Sequence, residues 1–378
     1  RNSIIQNLLT TKANNIMSST EQDDSSGSAI PSWAIYAGVG IASYITYKTL
    51  FKDTQFSKEY SYNEYKSDDY TPNYESGQKY YVTNPWDEIK IHRSKRGPAS
   101  WKPIRVFEMF DKCVKAAPDS VYWKKEYGDD FKWKSWTRQE VYDKTQQAGR
   151  AFIACGLKAW QSVSIIGFNG PEWLLADLGC IYAGGIVAGI YTTNNPGQCK
   201  YIAAHSKSAV AVVDGEKQLN KFLEIRKDLE DLKVIVVYNI DENDPIISES
   251  NSDEKLAKVI HWSEFMKLGD DKSTKDKLNK EMESRISEIK PGQCCTLIYT
   301  SGTTGPPKAV MISHDSITWQ SRVILDTIKS VKKDGSPHAS VSYLPLSHIA
   351  AQLLDIFFPM AFTAFNPQCK SWEMYFAR

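Results

Sequence analysis

Four stretches of this chain are almost purely apolar: "SVSIIGF" (162–168), "IVAGIY" (186–191), "AVAVVD" (209–214) and "KVIVVYN" (233–239). Runs of this kind suit strands buried on both faces of a parallel sheet. Amphipathic stretches alternate with them. "PEWLLADLGCIYAGG" (171–185) opens with a proline and closes on a glycine pair, the punctuation of a helix. "QCKYIAAHS" (198–206) and "KQLNKFLEIRKDL" (217–229) continue the alternation. Ahead of them, "TRQEVYDKTQQAGRAFIACG" (137–156) sets Thr137 three residues before Glu140 and ends at Gly156, which predicts a capping box, an amphipathic helix and a glycine stop.

Residues 241–290 are strongly charged, and "SDEKLAKVIHWSEFMKLG" is their one apolar patch, so they are expected to form a surface excursion with one or two helices. "CCTLIYT" (294–300) and "KAVMISH" (308–314) are then strands, "SITWQSRVILDTIKSV" (316–331) a helix and "ASVSYLP" (339–345) a further strand. The predicted fold class is α/β, with parallel or mixed sheets covered by helices.

The first 85 residues follow another pattern. Residues 1–24 are polar and expected to be disordered. From Ser25 to Tyr47 there are 23 residues without a charge, with an apolar heart at Trp33–Tyr47. That heart is shorter than the roughly 20 apolar residues of a spanning helix. Trp33 and Tyr36 near one end, with Tyr44 and Tyr47 near the other, resemble an aromatic belt. Glu21, Asp23 and Asp24 precede the segment; Lys48 and Lys52 follow it, which would place the remainder of the chain on the cytosolic side of a membrane. The expectation is a membrane-anchor helix over 25–52, in the endoplasmic reticulum or a similar membrane. A peripheral helix or a soluble segment, with a cytoplasmic protein, is the alternative. Residues 53–85 are expected to be a polar linker, 86–358 a partial globular domain, and 359–378 a divergent tail.

Composition narrows the function. Lys plus Arg is 46 and Asp plus Glu is 45, a net charge of +1, and no basic stripe is interleaved with aromatics, so nucleic acid is not an expected partner. Seven cysteines are scattered without a C-x-x-C pair, which suits buried thiols in a reducing compartment and no zinc site.

The chemistry is concentrated in "IYTSGTTGPPKAVMISH" (298–314). Gly302 and Gly305 let backbone N–H groups turn toward one point, Thr300, Ser301, Thr303 and Thr304 add hydroxyls, and Lys308 adds a mobile positive charge. Converging donors of this kind suit a polyphosphate. The Walker loop needs its lysine directly after the second glycine and a helix behind it; here Lys308 comes three residues after Gly305 and a β-prone run follows. A plain Gly/Ser/Thr turn in a hairpin is the alternative reading of the same residues.

"YTSGTTGPPKAVMISH" resembles the phosphate-loop signature of the adenylate-forming (AMP-binding) superfamily, with Ala309 where the family usually has glycine. "GFNGPEWLLADLGCIYAGGIVAGIYTTNNP" (167–196), "SYLPLSHIAAQ" (342–352) and the spacing from "SWTRQEVY" (135–142) onward are similar to the bubblegum-type branch of the long-chain fatty acyl-CoA synthetases. The resemblance covers roughly 135–358. It implies a ligase that activates a long or very long fatty acid with Mg-ATP as an acyl-adenylate and passes the acyl group to coenzyme A. By the resemblance, the loop Thr300–Gly305 (Thr300, Ser301, Gly302, Thr303, Thr304, Gly305) and Lys308 hold the β- and γ-phosphates, and His348 in "LPLSH" shapes the acyl-adenylate site. A satisfied histidine at a strand end is the plainer reading of His348. His314 fits capping or packing better, and Trp173, Tyr182 and Glu172 fit a helix core and first turn. An aryl- or amino-acid-activating relative is the nearest rival class.

The resemblance also implies parts that are not found in 315–378: an aromatic–Gly–x–(Thr/Ser)–Glu stretch for magnesium, an aspartate for the ribose, and a small C-terminal domain with a lysine. No metal ligand is assigned. The chain is therefore expected not to complete a turnover alone, and a non-catalytic, membrane-tethered nucleotide-binding or interaction protein is the alternative function.

Overall fold

Alternation of apolar run and amphipathic stretch becomes alternation of strand and covering helix. The structure is a computed structural model that describes residues 82–127, 132–300, 306–328, 331, 333–366, 368–369 and 372–376. The expectations for 1–24, for the 25–52 segment, for the linker up to residue 81 and for Ser301, Gly302, Thr303, Thr304 and Gly305 lie outside the described residues. No helix among the described residues is long and apolar enough to cross a membrane.

In chain order the first elements are α1 (Val106–Ala116), β1 (Val121–Tyr127), β2 (Lys132–Thr137), α2 (Arg138–Ala154), β3 (Ser162–Ile166), α3 (Pro171–Tyr182), β4 (Ile186–Ile190), α4 (Pro196–His205), β5 (Ser208–Asp214) and α5 (Gly215–Ile225). Then come β6 (Val234–Tyr238), α6 (Pro245–Ser250), β7 (Lys258–His261), α7 (Trp262–Leu268), α8 (Lys275–Glu288), β8 (Cys294–Thr300), β9 (Lys308–Ser313), α9 (His314–Thr327) and β10 (His338–Ser342). A helical run follows, made of α10 (Ile349–Ala351), a π-helical segment (Gln352–Phe357) and α11 (Phe358–Phe365), and β11 (Trp372–Phe376) closes the order.

The larger sheet has the order β7-β6-β5-β3-β4-β8-β9. Its strands run parallel except β9, which returns antiparallel on β8. Side chains alternate between two cores: Val210 and Val212 face the helices α2 and α3, while Ala211 and Val213 face α4 and α5. With both faces covered, a strand has no polar side, which is why these segments are unbroken apolar runs.

The predicted capping box of α2 is present. The Glu140 N–H donates to Thr137 Oγ1 at 3.2 Å, and the Thr137 N–H donates to Glu140 Oε2 at 2.8 Å. The chain leaves α2 through Gly156 at φ +82°, a conformation costly for any other residue. α2 and α3 cross on small residues: a Cβ on Gly179 would lie 2.8 Å from the Ala148 Cβ. Close approach of the two backbones there leaves no room for a larger side chain.

Residues 241–290 differ from expectation. They hold three helices, and β7 pairs in parallel with β6 and extends the sheet to its edge. In "KVIH" only Val259 and Ile260 are buried, one toward each core, so the apolar signal of this strand is two residues long. The helix expected over 316–331 ends at Thr327.

The smaller sheet has the order β10-β11-β1-β2. β11, from the stretch expected to diverge, sits between β10 and β1 and is parallel to both. The fully buried Arg138 ties α2 to this region, donating to Thr363 Oγ1 at 3.1 Å and to the Trp372 carbonyl at 3.3 Å under the Tyr122 ring.

Candidate active site at the carboxyl ends of the parallel strands

The residues that carry chemistry gather where the parallel strands of the larger sheet end. β4 and β8 are adjacent in this sheet, and these residues lie at the ends of β4, β8 and β9. In open α/β sheets ligands bind outside the carboxyl ends of the strands.

β8 is buried through Tyr299 and surfaces at Thr300. β9 starts at Lys308, and the register sets Thr300 directly across from Lys308 and Tyr299 across from Ala309. Thr300 and Lys308 are both exposed, so a hydroxyl and an ammonium group stand side by side at the loop end of the hairpin. Ala309 is half-buried and packs against the core that contains Tyr299. Its methyl group occupies an ordinary inward strand position, and the departure from glycine carries no strain.

The "LPLSH" segment lies over the end of β4. A Cβ on Gly189 would come within 3.0 Å of the Ser347 Cα, so glycine is what lets the backbone of this loop descend onto the strand. Asn169, at the exit of β3, staples the segment down. Its Nδ2 donates to Ser342 Oγ and to the Leu344 carbonyl, both at 2.8 Å, and its Oδ1 accepts from the Leu346 N–H at 3.3 Å. Ser342 Oγ donates in turn to Asp355 at 2.7 Å, and Gln352 Nε2 donates to the Leu346 carbonyl at 2.9 Å. Burial pushes the Asp355 carboxyl up to about 7, against the pull of the Ser342 hydrogen bond. His348 is exposed, and its Nδ1 accepts from the Ala350 N–H at 3.2 Å, capping the helical run behind it. Because β4 and β8 are adjacent, the histidine loop and the Thr300–Lys308 pair share one edge of the sheet.

Gly189→Ala is expected to force the 344–348 loop off β4. Overpacking of this kind costs about 1–3 kcal/mol, read as a lower urea midpoint with an unchanged m-value.

The other candidates separate cleanly. His314 is fully buried; its Nδ1 accepts from the Val106 N–H at 3.3 Å and its ring meets Phe107 edge-on. Burial and the neighbouring Arg105 hold it at about 3, so it is neutral and serves packing. Trp173 and Tyr182 lie in the core, and Glu172 pairs with Lys125 at 3.5 Å. Two cavities lie elsewhere: one of about 260 Å³ beside Trp101 and Trp319, and one of about 660 Å³ between α1, α2 and α8. Neither is lined by Thr300, Lys308 or His348, so the site is located by its chemistry and not by concavity.

The family described as AMP-binding enzyme matches residues 110–365. The chain belongs to that family. Long-chain-fatty-acid–CoA ligase ACSBG2 of Xenopus laevis is 37% identical over 287 residues, 76% of this chain and 36% of the relative. Long-chain-fatty-acid–CoA ligase ACSBG1 of Homo sapiens is 42% identical over 225 residues, 60% of this chain and 29% of the relative. These relatives bear out the resemblance to the bubblegum-type branch, and the chain spans about a third of their length. Among solved structures, the A-PCP didomain of a carboxylic acid reductase from Segniliparus rugosus, in complex with AMP, superposes with a TM-score of 0.55 at 15% identity, over 73% of this chain and 40% of that one. The anthranilate CoA ligase AuaEII, in complex with anthranoyl-AMP, gives 0.53 at 16%, over 74% and 46%. At such identities they share the fold of the AMP-binding enzymes.

Within this AMP-binding domain, Asn169, Ser342, Gln352 and Asp355 are the site-building residues that the sequence did not single out. The asparagine stands in "GFNGP", a polar residue between two glycines at a strand exit, which was the available signal. Among the described residues no group of three or more His, Cys, Asp or Glu side chains could hold a metal ion.

Proposed function

We propose that this chain forms the phosphate-binding part of an ATP-dependent long-chain or very-long-chain fatty acid–CoA ligase. The observation that carries the reading is the strand register that sets Thr300 against Lys308 at the carboxyl edge of a parallel sheet, beside the loop that bears His348. The names of the bubblegum-type relatives supply the substrate class, and the AMP and anthranoyl-AMP complexes among structures of the same fold support adenylate chemistry.

In this reading the Thr300 hydroxyl and the Lys308 ammonium hold the β- and γ-phosphates, with Ser301, Gly302, Thr303, Thr304 and Gly305 completing the donor set. As the fatty carboxylate attacks the α-phosphorus, negative charge accumulates on the departing pyrophosphate, and fixed donors are most effective where charge develops. Magnesium enters with ATP as the Mg-ATP substrate. His348 lines the acyl-adenylate side, its ring oriented by the bond to the Ala350 N–H, and coenzyme A supplies the thiol of the second step. The 25–52 segment would tether the domain to a membrane with the ligase facing the cytosol.

The test is a pair of assays on the 378-residue chain. Inorganic pyrophosphate is expected to bind by titration calorimetry, and ATP–pyrophosphate exchange dependent on fatty acid is expected to stay at background. No binding of pyrophosphate would sink the phosphate reading; exchange above background would show that the chain is catalytically sufficient.

A further inference from the structure

We infer that α4 is a clasp on the loop end of the β8–β9 hairpin, with Tyr201 and His205 as positioning residues for Thr300 and Lys308; the inference rests on the phosphate-binding reading above. Tyr201 and His205 stand four residues apart, one turn along the same face of α4, and their rings stack at 5.5 Å with 21° between planes. From that face the helix reaches both strands. The Tyr201 hydroxyl donates to the Pro307 carbonyl at 3.0 Å, the residue just before Lys308. The Tyr299 hydroxyl, just before Thr300, lies 2.9 Å from His205 Nδ1, with the rings edge to face at 5.8 Å. The Asn195 cap holds the start of α4, accepting from the Gln198 N–H at 2.9 Å.

The sequence shows why such a grip is required on the β9 side. Pro306 and Pro307 have no N–H, so neither can donate to a strand ladder, and the ladder starts only at the Thr300–Lys308 pair. The carbonyl is the one polar backbone group that Pro307 offers, and Tyr201 takes it. On the β8 side Tyr299 is buried among Cys199, Ile202 and Ala203 of the same helix. α4 therefore fixes the chain immediately before each of the two site residues. A lysine rooted in a held backbone loses less freedom when its ammonium group meets a phosphate, and preorganisation of this kind raises affinity without a new contact.

Three variants of the 378-residue chain test the clasp. Tyr201→Phe keeps the ring stack and removes only the hydroxyl. His205→Leu removes the Nδ1 partner, and His205→Asn returns a polar atom near that position. Hydrogen exchange of the peptide carrying Thr300 and Lys308 is expected to quicken at least about fivefold in Tyr201→Phe and His205→Leu, and to return toward the unsubstituted rate in His205→Asn. Pyrophosphate affinity should fall about five- to tenfold in the first two and recover in the third, the scale of one lost hydrogen bond. Recovery in His205→Asn is an outcome that loss of packing alone would not produce. Exchange within about twofold of the unsubstituted chain in both Tyr201→Phe and His205→Leu overturns the clasp. The exchange result decides the clasp whether or not pyrophosphate binds, whereas absence of pyrophosphate binding to the unsubstituted chain counts against the phosphate reading alone.

Discussion

Asp177→Asn is expected to make the domain progressively more stable than the unsubstituted protein as pH rises from about 5.5 to 7.5. Asp177 lies in α3 with no exposed surface, and neither carboxyl oxygen has a hydrogen-bond partner. The buried thiols of Cys180 and Cys295 feel its charge, and they bring no positive charge to it. Burial alone pushes the carboxyl up to about 8. The unfolded chain, with an ordinary carboxyl, loses its proton near pH 4, while the folded chain keeps it. Between those two values the folded state holds one more proton than the unfolded state, so stability falls as pH rises, by about 1.4 kcal/mol per pH unit. The contribution is fully present below about pH 4 and is spent at about pH 8. Asparagine does not titrate, so the stability difference between the two proteins should change by a few kcal/mol across the range. Asp355, raised to about 7, titrates in both proteins and cancels from the difference. Urea midpoints at four pH values measure it, and a difference that is flat with pH would show that Asp177 is ionised in the fold.

Lys308→Ala is expected to weaken pyrophosphate binding by about 10- to 100-fold and to leave the urea midpoint where it was. A hydrogen bond to a charged group is worth about 1.5–3 kcal/mol, which sets that range. Lys308 is exposed at the first position of β9, so no packing is lost with it. Lys308→Arg should recover part of the affinity, since the charge remains while the geometry of the donor changes. The affinity of the unsubstituted chain should fall with added salt, and the alanine variant should show a shallower dependence. Equal affinities of Lys308→Ala and the unsubstituted chain would remove the lysine from the phosphate site.

Much of this architecture was legible in the residues. The strands β3, β4, β5 and β6 declared themselves because both faces of each are buried, and α2 because its cap and its glycine exit are local chemistry. α1 was equally readable in principle: Val106, Phe107, Phe110, Cys113 and Val114 recur at helical spacing and are all buried. β1 was not. "VYWKKEY" reads as a polar surface segment until Lys124 meets Glu373 at 2.8 Å and Lys125 meets Glu172 at 3.5 Å. β7 was hidden for a related reason, since an edge strand of four residues needs only two apolar side chains.

The sequence by itself determined the parallel α/β core, the hairpin that returns at "TSGTTGPPK" and the family to which the loop belongs. Those features rest on local chemistry: which residues can be buried on both faces, which can cap, and which lack an N–H. Only the tertiary structure decided that Gly189 lets down the loop that bears His348, that Asn169 staples that loop, and that Tyr201 and His205 hold the two strands of the hairpin at its loop end. The hydrogen bonds of Tyr201, His205 and Asn169 join residues 106, 94 and 175 positions apart. No periodicity or motif encodes such pairings, because a hydrogen bond between distant residues exists only once the sheet has set its strands side by side.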